Sequence, residues 1–156
     1  AMGAVVIATS STPEKLDRLK ALGADHVINH REVEAWSEPV LKLTAGLGVD
    51  HCVEVGGPNT MRQSMTAART GGHIAIIGAV AGFDTDVMPF AIAQAKRLRL
   101  QAVTVGSRRD QLDMIRAIEA HEIRPVIDSR FPLARLPDAF RRLNSGGHVG
   151  KICIDI

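Results

Sequence analysis

The chain has 156 residues, 46% hydrophobic and 3% aromatic, with a formal net charge of +2. That length suits one compact domain with a short appendage, and the apolar share supports a proper core. The small charge and scarce aromatics argue against nucleic acid, for want of a basic footprint and of stacking platforms. No apolar run approaches the ~18–20 residues of a membrane span. The N-terminus shows no basic flank followed by an apolar stretch, so no leader is expected. Cys52 and Cys153 lie far apart in apolar runs and read as reduced core residues, which fits a cytoplasmic protein. Ala1-Met2 reads either as a residue before an initiator Met or as the end of a lost helix.

Val5-Val6-Ile7-Ala8 is a short buried-strand signal, ended by Thr9-Ser10-Ser11-Thr12. Pro13 stands where the first turn of a helix tolerates it, and Leu16, Leu19 and Leu22 follow at helical spacing up to Gly23. His26 to Asn29 is a second strand. Trp36, Val40, Leu41 and Leu43 mark a second helix, closed by Gly46. Val49 to Val55 is a third strand, broken by Gly56-Gly57-Pro58. Asn59 to Thr70 reads as a helix and Ile74 to Ile77 as the strongest strand. Phe83 to Leu98 mixes a polar loop with a short helix around Ala91 to Ala95. Leu100 to Val105 is a further strand, and Ser107 begins a helix carrying Leu112, Ile115 and Ile118. Strands of four to eight residues alternating with longer helices call for parallel strands and crossovers, an open α/β sheet covered on both faces.

The tail changes rhythm. Pro125 to Leu133 is a strand and turn. Pro137 to Leu143 is a short helix with Ala139, Phe140 and Leu143 inward, and Ile152 to Ile156 is a closing strand. A boundary is placed at Arg124-Pro125, giving domains 1–124 and 125–156.

In an open parallel sheet, ligands bind beyond the carboxyl ends of the strands. Ser10-Ser11-Thr12, Asn29-His30-Arg31, Val55-Gly56-Gly57, Gly78-Ala79-Val80 and Gly106-Ser107 leave those ends. Glycines let backbone approach a ligand, and hydroxyls and N–H groups hold phosphate. Glycine and serine are also ordinary turn residues, so a nucleotide and a plain turn both remain open at this level. Glu54 is expected to order a neighbouring turn, His51 and His73 to be surface residues before strands, and Trp36 to pack partly buried. No C-x-x-C exists and the six histidines are scattered along the chain, so no metal ligand and no catalytic residue is assigned.

Ala8-Thr9-Ser10-Ser11, Ala21 to Asn29, Gly48-Val49-Asp50, Val53-Glu54-Val55-Gly56-Gly57 and Ser145 to Lys151 together resemble the C-terminal half of medium-chain, zinc-type alcohol dehydrogenases and their quinone-oxidoreductase relatives. The resemblance covers nearly the whole chain in order. It implies a Rossmann-like, doubly wound parallel sheet lacking the family's first strand and phosphate-binding glycine loop, and a C-terminal return to the catalytic domain. It implies hydride transfer between an alcohol or carbonyl and NAD(P). The family's zinc ligands and four-cysteine lobe lie upstream, so zinc is expected only in that absent part and the 156 residues alone are expected to be inactive.

The resemblance places Val55 and Gly56 against the cofactor ribose and Gly78, Ala79 and Val80 near the nicotinamide. Thr104, Val105 and Gly106 fall beside its carboxamide, and Lys151 within reach of the pyrophosphate. At the end of the strand matching Val5 to Ala8, an acid would favour NAD. Here stand Ser10, Ser11 and Thr12, with Lys15 one turn on and Arg31 after the next strand, which suits the extra phosphate of NADP. The competing reading is that Ser10 or Ser11 only caps the helix and Lys15 is a solvated surface residue.

The family's absent strand lies between those matching Val5 to Ala8 and Val49 to Val55. The expectation is that these neighbours pair directly or that another chain fills the place. Family dimers join through the strand matching Leu100 to Val105, so a homo-oligomer is expected. The alternative function is a non-catalytic dinucleotide-binding or assembly module.

Overall fold

A computed structural model describes residues 3–82 and 88–156; the part of the polar loop expected at 83–87 lies outside them. The chain divides into two compact units, Val5–Val105 and Gly106–Ile156, the latter with residues 3–4.

The first unit alternates strand and helix. β1 (Ile7–Ser10) leads through Thr12 into α1 (Pro13–Ala21), and β2 (His26–Asn29) pairs parallel to β1. α2 (Ser37–Leu43) precedes β3 (Val49–Glu54), and α3 (Pro58–Ala67) precedes β4 (Ala68–Ile76). α4 (Phe90–Ala95) leads to β5 (Arg99–Ala102). β3, β4 and β5 form a parallel sheet in that order.

Several boundaries differ from the expectation: β1 covers Ile7–Ser10 rather than Val5 to Ala8, and β4 starts at Ala68 rather than Ile74. The helix expected to reach Thr70 ends at Ala67, and the strand starts at once. The Lys96 ammonium sets the limit by donating to the Thr66 and Ala68 carbonyls, where a cation complements a helix C-terminus. The strand expected to reach Val105 stops at Ala102, although the Val103 N–H still donates to the Ile76 carbonyl at 2.9 Å.

The larger correction concerns the sheet. β1 and β3 do not close up on each other: β1 pairs only with β2 in one sheet, and β3 is the edge of another. Side chains join the two sheets instead. Ile28 of β2, Val40 of α2 and Ala67 of α3 form a buried cluster on which Ile7 of β1, Trp36 and Val49 of β3 pack. A second cluster, Met61 and Met65 of α3 with Ala68 and Ile74 of β4, takes Cys52, Ile92 and Leu100 against it. α3 belongs to both. Burial pushes the Cys52 thiol up, assisted by the nearby Glu54 charge, as befits a packed and unreactive cysteine.

In the second unit, α5 (Arg108–Ala120) opens on a capping box: the Ser107 hydroxyl accepts from the Asp110 N–H while the Ser107 N–H donates to the Asp110 carboxylate at 2.7 Å. β6 (Ile127–Pro132) pairs parallel with β7 (Lys151–Asp155), and α6 (Leu136–Asn144) connects them after a 3₁₀ turn. Of the three α6 residues expected inward, Ala139 is buried but Phe140 and Leu143 are about half exposed. The apolar stripe of α6 is wider than a two-stranded sheet can cover. These two side chains line a groove of about 290 Å³ with Leu136, Ile152 and Ile154.

The loop 145–150 is tied back by one ion pair. The Arg142 guanidinium grips Asp128 with two bonds, 3.0 and 2.8 Å, and the Val149 N–H donates to the same carboxylate at 3.0 Å. Arg142 also reaches the Gly147 carbonyl at 3.2 Å. Gly150 passes so near the Val126 carbonyl, at φ +102°, that no Cβ fits. Arg142 and the Val149 N–H hold the Asp128 carboxyl far below its ordinary 3.8. A depressed acid stabilises fully above its unfolded-state pKa and loses that contribution as pH falls toward the folded one. Asp128→Ala is therefore expected to lower stability by about 1–3 kcal/mol at pH 7, with a difference from the parent that shrinks as pH drops from about 4 toward 2. Thermal unfolding of both proteins across that range checks it; a gap that does not narrow in acid rejects the assignment.

Candidate functional site

The loop after β3 and the loop after β4 are laced together by backbone. Ile77 N–H donates to the Glu54 carbonyl at 2.8 Å, Val80 N–H to the Val55 carbonyl at 3.1 Å and Ala81 N–H to the Gly56 carbonyl at 2.9 Å. Asn59 adds a side-chain bond to the Ala81 carbonyl at 2.6 Å. The approach is close enough to require glycine on both sides. A Cβ on Gly57, which sits at φ +89°, would lie 2.6 Å from the Ala79 Cα, and one on Gly78 would lie 2.9 Å from the Val55 oxygen. These glycines thus serve first to seat the two loops on each other. The surface so presented includes Val55 and Val80, the latter 84% exposed.

Glu54 fixes this arrangement. It is 3% exposed, and its carboxylate accepts from the Gly57 N–H at 2.8 Å, the Thr60 hydroxyl at 2.6 Å and the Ser64 hydroxyl. The acid at the end of β3 therefore ties down the turn and the first two turns of α3. The spacing Glu54, Gly57, Thr60, Ser64 was the available signal; it places three donors along one face of a helix start.

At the tips of β1 and β2 a second group assembles. The His30 N–H donates to the Ser10 carbonyl at 3.0 Å, so the loops carrying Ser11 and Arg31 leave neighbouring strand ends. The helix cap is neither Ser10 nor Ser11 but Thr12, whose hydroxyl accepts from the Lys15 N–H at 3.4 Å. Thr12 is the residue immediately before the helical Pro13, the position from which an oxygen reaches the first free N–H groups. Ser10 and Ser11 are thereby released from that role. Glu14 was overlooked in the sequence: its own backbone N–H and then the Thr12 hydroxyl lower its carboxyl pKa, placing an anion in this turn.

Thr104 and Val105 follow β5, with Val105 96% exposed. Gly106 begins the second unit. Lys151 is also in the second unit, at the start of β7, with its N–H donating to the Val126 carbonyl at 2.8 Å. Among the described residues no three His, Cys, Asp or Glu side chains gather as a metal-ligand group, and no helix is long and apolar enough to cross a membrane. Removing the Glu54 anchor tests how the laced loops are held. Glu54→Ala leaves three donors without an acceptor and is expected to destabilise the fold by about 3 kcal/mol or more, with Glu54→Gln less severe; chemical denaturation measures both. A loss below about 1 kcal/mol for the alanine variant contradicts the anchoring role.

The profile of the zinc-binding dehydrogenase family matches residues 1–120. A zinc-type alcohol dehydrogenase-like protein of Schizosaccharomyces pombe is 39% identical over all of this chain, which spans 46% of that relative. The crystal structure of an NAD-dependent alcohol dehydrogenase superposes with a TM-score of 0.88 at 32% identity, covering 99% of this chain and 44% of that one. A quinone oxidoreductase of Pseudomonas syringae pv. Tomato DC3000 superposes with a TM-score of 0.81 at 25% identity, covering 99% of this chain and 50% of that one. With its parallel strands, flanking helices and laced strand-tip loops, the chain belongs to the zinc-binding dehydrogenase family.

Proposed function

We propose that this chain is the cofactor-binding portion of a zinc-type, NAD(P)-dependent alcohol dehydrogenase-like oxidoreductase. The observation that carries the reading is the pair of glycine loops after β3 and β4. They are locked to each other and present Val55, Ala79 and Val80 at the carboxyl ends of parallel strands, where a dinucleotide lies in such sheets. When bound, the cofactor supplies the hydride acceptor or donor. The chain's residues bind and orient it: Val55 and Gly56 along a ribose, Gly78 to Val80 and Thr104 to Gly106 toward the nicotinamide. Lys151, in the other unit, is assigned to the pyrophosphate by resemblance alone.

Ser10, Ser11, Lys15 and Arg31 favour NADP. Two hydroxyls and two cations suit a 2′-phosphate, whereas ribose recognition in NAD calls for an acid at the strand end. Glu14 works against this preference, so discrimination rests on the cations. The chain spans less than half of its alcohol dehydrogenase relatives. Part of the same reading is that the catalytic zinc, the substrate pocket and turnover belong to the remainder, and that the 156 residues alone bind without reacting. A homo-oligomer joined along β5 is part of the same reading, since β5 is a sheet edge and edges recruit strands.

NADPH fluorescence is expected to change saturably on titration with the chain below millimolar concentration. Lys15→Glu is expected to weaken NADPH roughly tenfold or more, the worth of one charge-assisted contact, with NADH little affected. Equal losses for both overturn the NADP assignment, and no change at millimolar cofactor overturns the binding reading. Light scattering at micromolar concentration is expected to give a mass above that of one chain; a clean monomer removes the β5 interface.

A further inference from the structure

His51 and His73 are register partners on β3 and β4, so both side chains rise from the same face of the sheet. The opposite face, through Cys52 and Ile74, is the one that packs on the methionine cluster. His51 is exposed and His73 half-buried. Their ring centres are 5.4 Å apart with the planes at 77°. Arg99 of β5 is the next residue in the row, on the far side of His73. Asp50, beside His51 in β3, is taken up by Arg69 at 2.6 Å.

The geometry points to a two-histidine chelate for a divalent ion of the Zn²⁺ type. A zinc–imidazole bond is about 2.0–2.1 Å, which sets the ion about 3.2 Å from each ring centre, so two rings bound at a tetrahedral angle have centres about 5.2 Å apart. The observed separation is close to that value, and turning the rings about their side-chain torsions out of the edge-to-face contact brings one nitrogen of each toward a shared ion. Imidazole nitrogen is a preferred donor for such ions. Both rings stand on hydrogen-bonded strands rather than on loops, so their spacing is largely set before an ion arrives. Water completes the coordination, because His51 is exposed and, among the described residues, no group of three His, Cys, Asp or Glu side chains gathers. Without an ion, the contact is an edge-to-face ring pair and nothing more.

Zn²⁺ titration of the full chain by calorimetry tests the chelate. One site is expected, and its affinity falls at least about tenfold in His51→Gln and in His73→Gln alike, because a chelate loses its second contact either way. The double variant is expected to lose less than the sum of the two single losses. In the unmutated chain, the ring-nitrogen NMR signals of His51 and His73 are expected to shift together on adding Zn²⁺, which reads out the site even if a variant folds poorly. Unchanged affinity in either folded variant overturns the chelate. So do zinc-induced shifts confined to His26, His30, His121 and His148.

Discussion

A buried carboxylate that accepts three hydrogen bonds is the constraint on which the strand-tip surface depends. Glu54 leaves water at the last residue of β3, and an ionised acid in that position is costly unless its oxygens are occupied. Gly57, Thr60 and Ser64 occupy them, and in doing so they bend the chain from strand into helix at one fixed point. Only with the 55–57 turn so held can the 77–82 loop lay its N–H groups on the Glu54, Val55 and Gly56 carbonyls. An apolar residue at position 54 would fill the space and leave the turn free to choose among several paths. The acid therefore both satisfies three donors that would otherwise be unpaired and selects one conformation of the loops.

The same helix is held at its other end. Lys96 donates to the Thr66 and Ala68 carbonyls where α3 stops. An acid at the first turn and a cation at the last both complement the helix dipole, and both are supplied from other elements. Burial lowers the Lys96 pKa, since its ammonium is drawn partly out of water to reach those carbonyls. α3 is thereby fixed in position along its axis. Its Met61 and Met65 then pack under the three-stranded sheet, while its Ala67 joins the cluster under β1 and β2.

Much of this was legible in the residues. The strands show as Val- and Ile-rich runs, and Pro13 and Gly23 bracket α1 at the expected places. The capping box at Ser107 and Asp110 was partly readable, since Ser107 stands where the helix is expected to begin. What escaped depends on partners distant in sequence. The early end of α3 is dictated by Lys96, 30 positions beyond Thr66. The grip of Arg142 on Asp128 spans 14 positions and a helix. The His51–His73 pairing exists only once β3 and β4 are in register. Phe140 and Leu143 misled for the opposite reason: helical periodicity identifies an apolar stripe but not how much surface is available to cover it.

The separation of the two sheets bears on how a ligand site is held together. In a continuous sheet, a hydrogen-bond ladder fixes each strand tip relative to the next. Here Ser10 and Arg31 ride on one sheet and Gly56 and Gly78 on another. Their joint is made of Ile28, Val40 and Ala67, with Ile7, Trp36 and Val49 against them. Side-chain packing is dense but yields to changes of a single methylene, whereas a ladder yields only by breaking bonds. The hydroxyl and cation group is therefore positioned relative to the glycine loops by core volume. A truncation at Val40 touches none of the candidate binding residues, yet it alters the one contact surface that holds their two groups in a common frame.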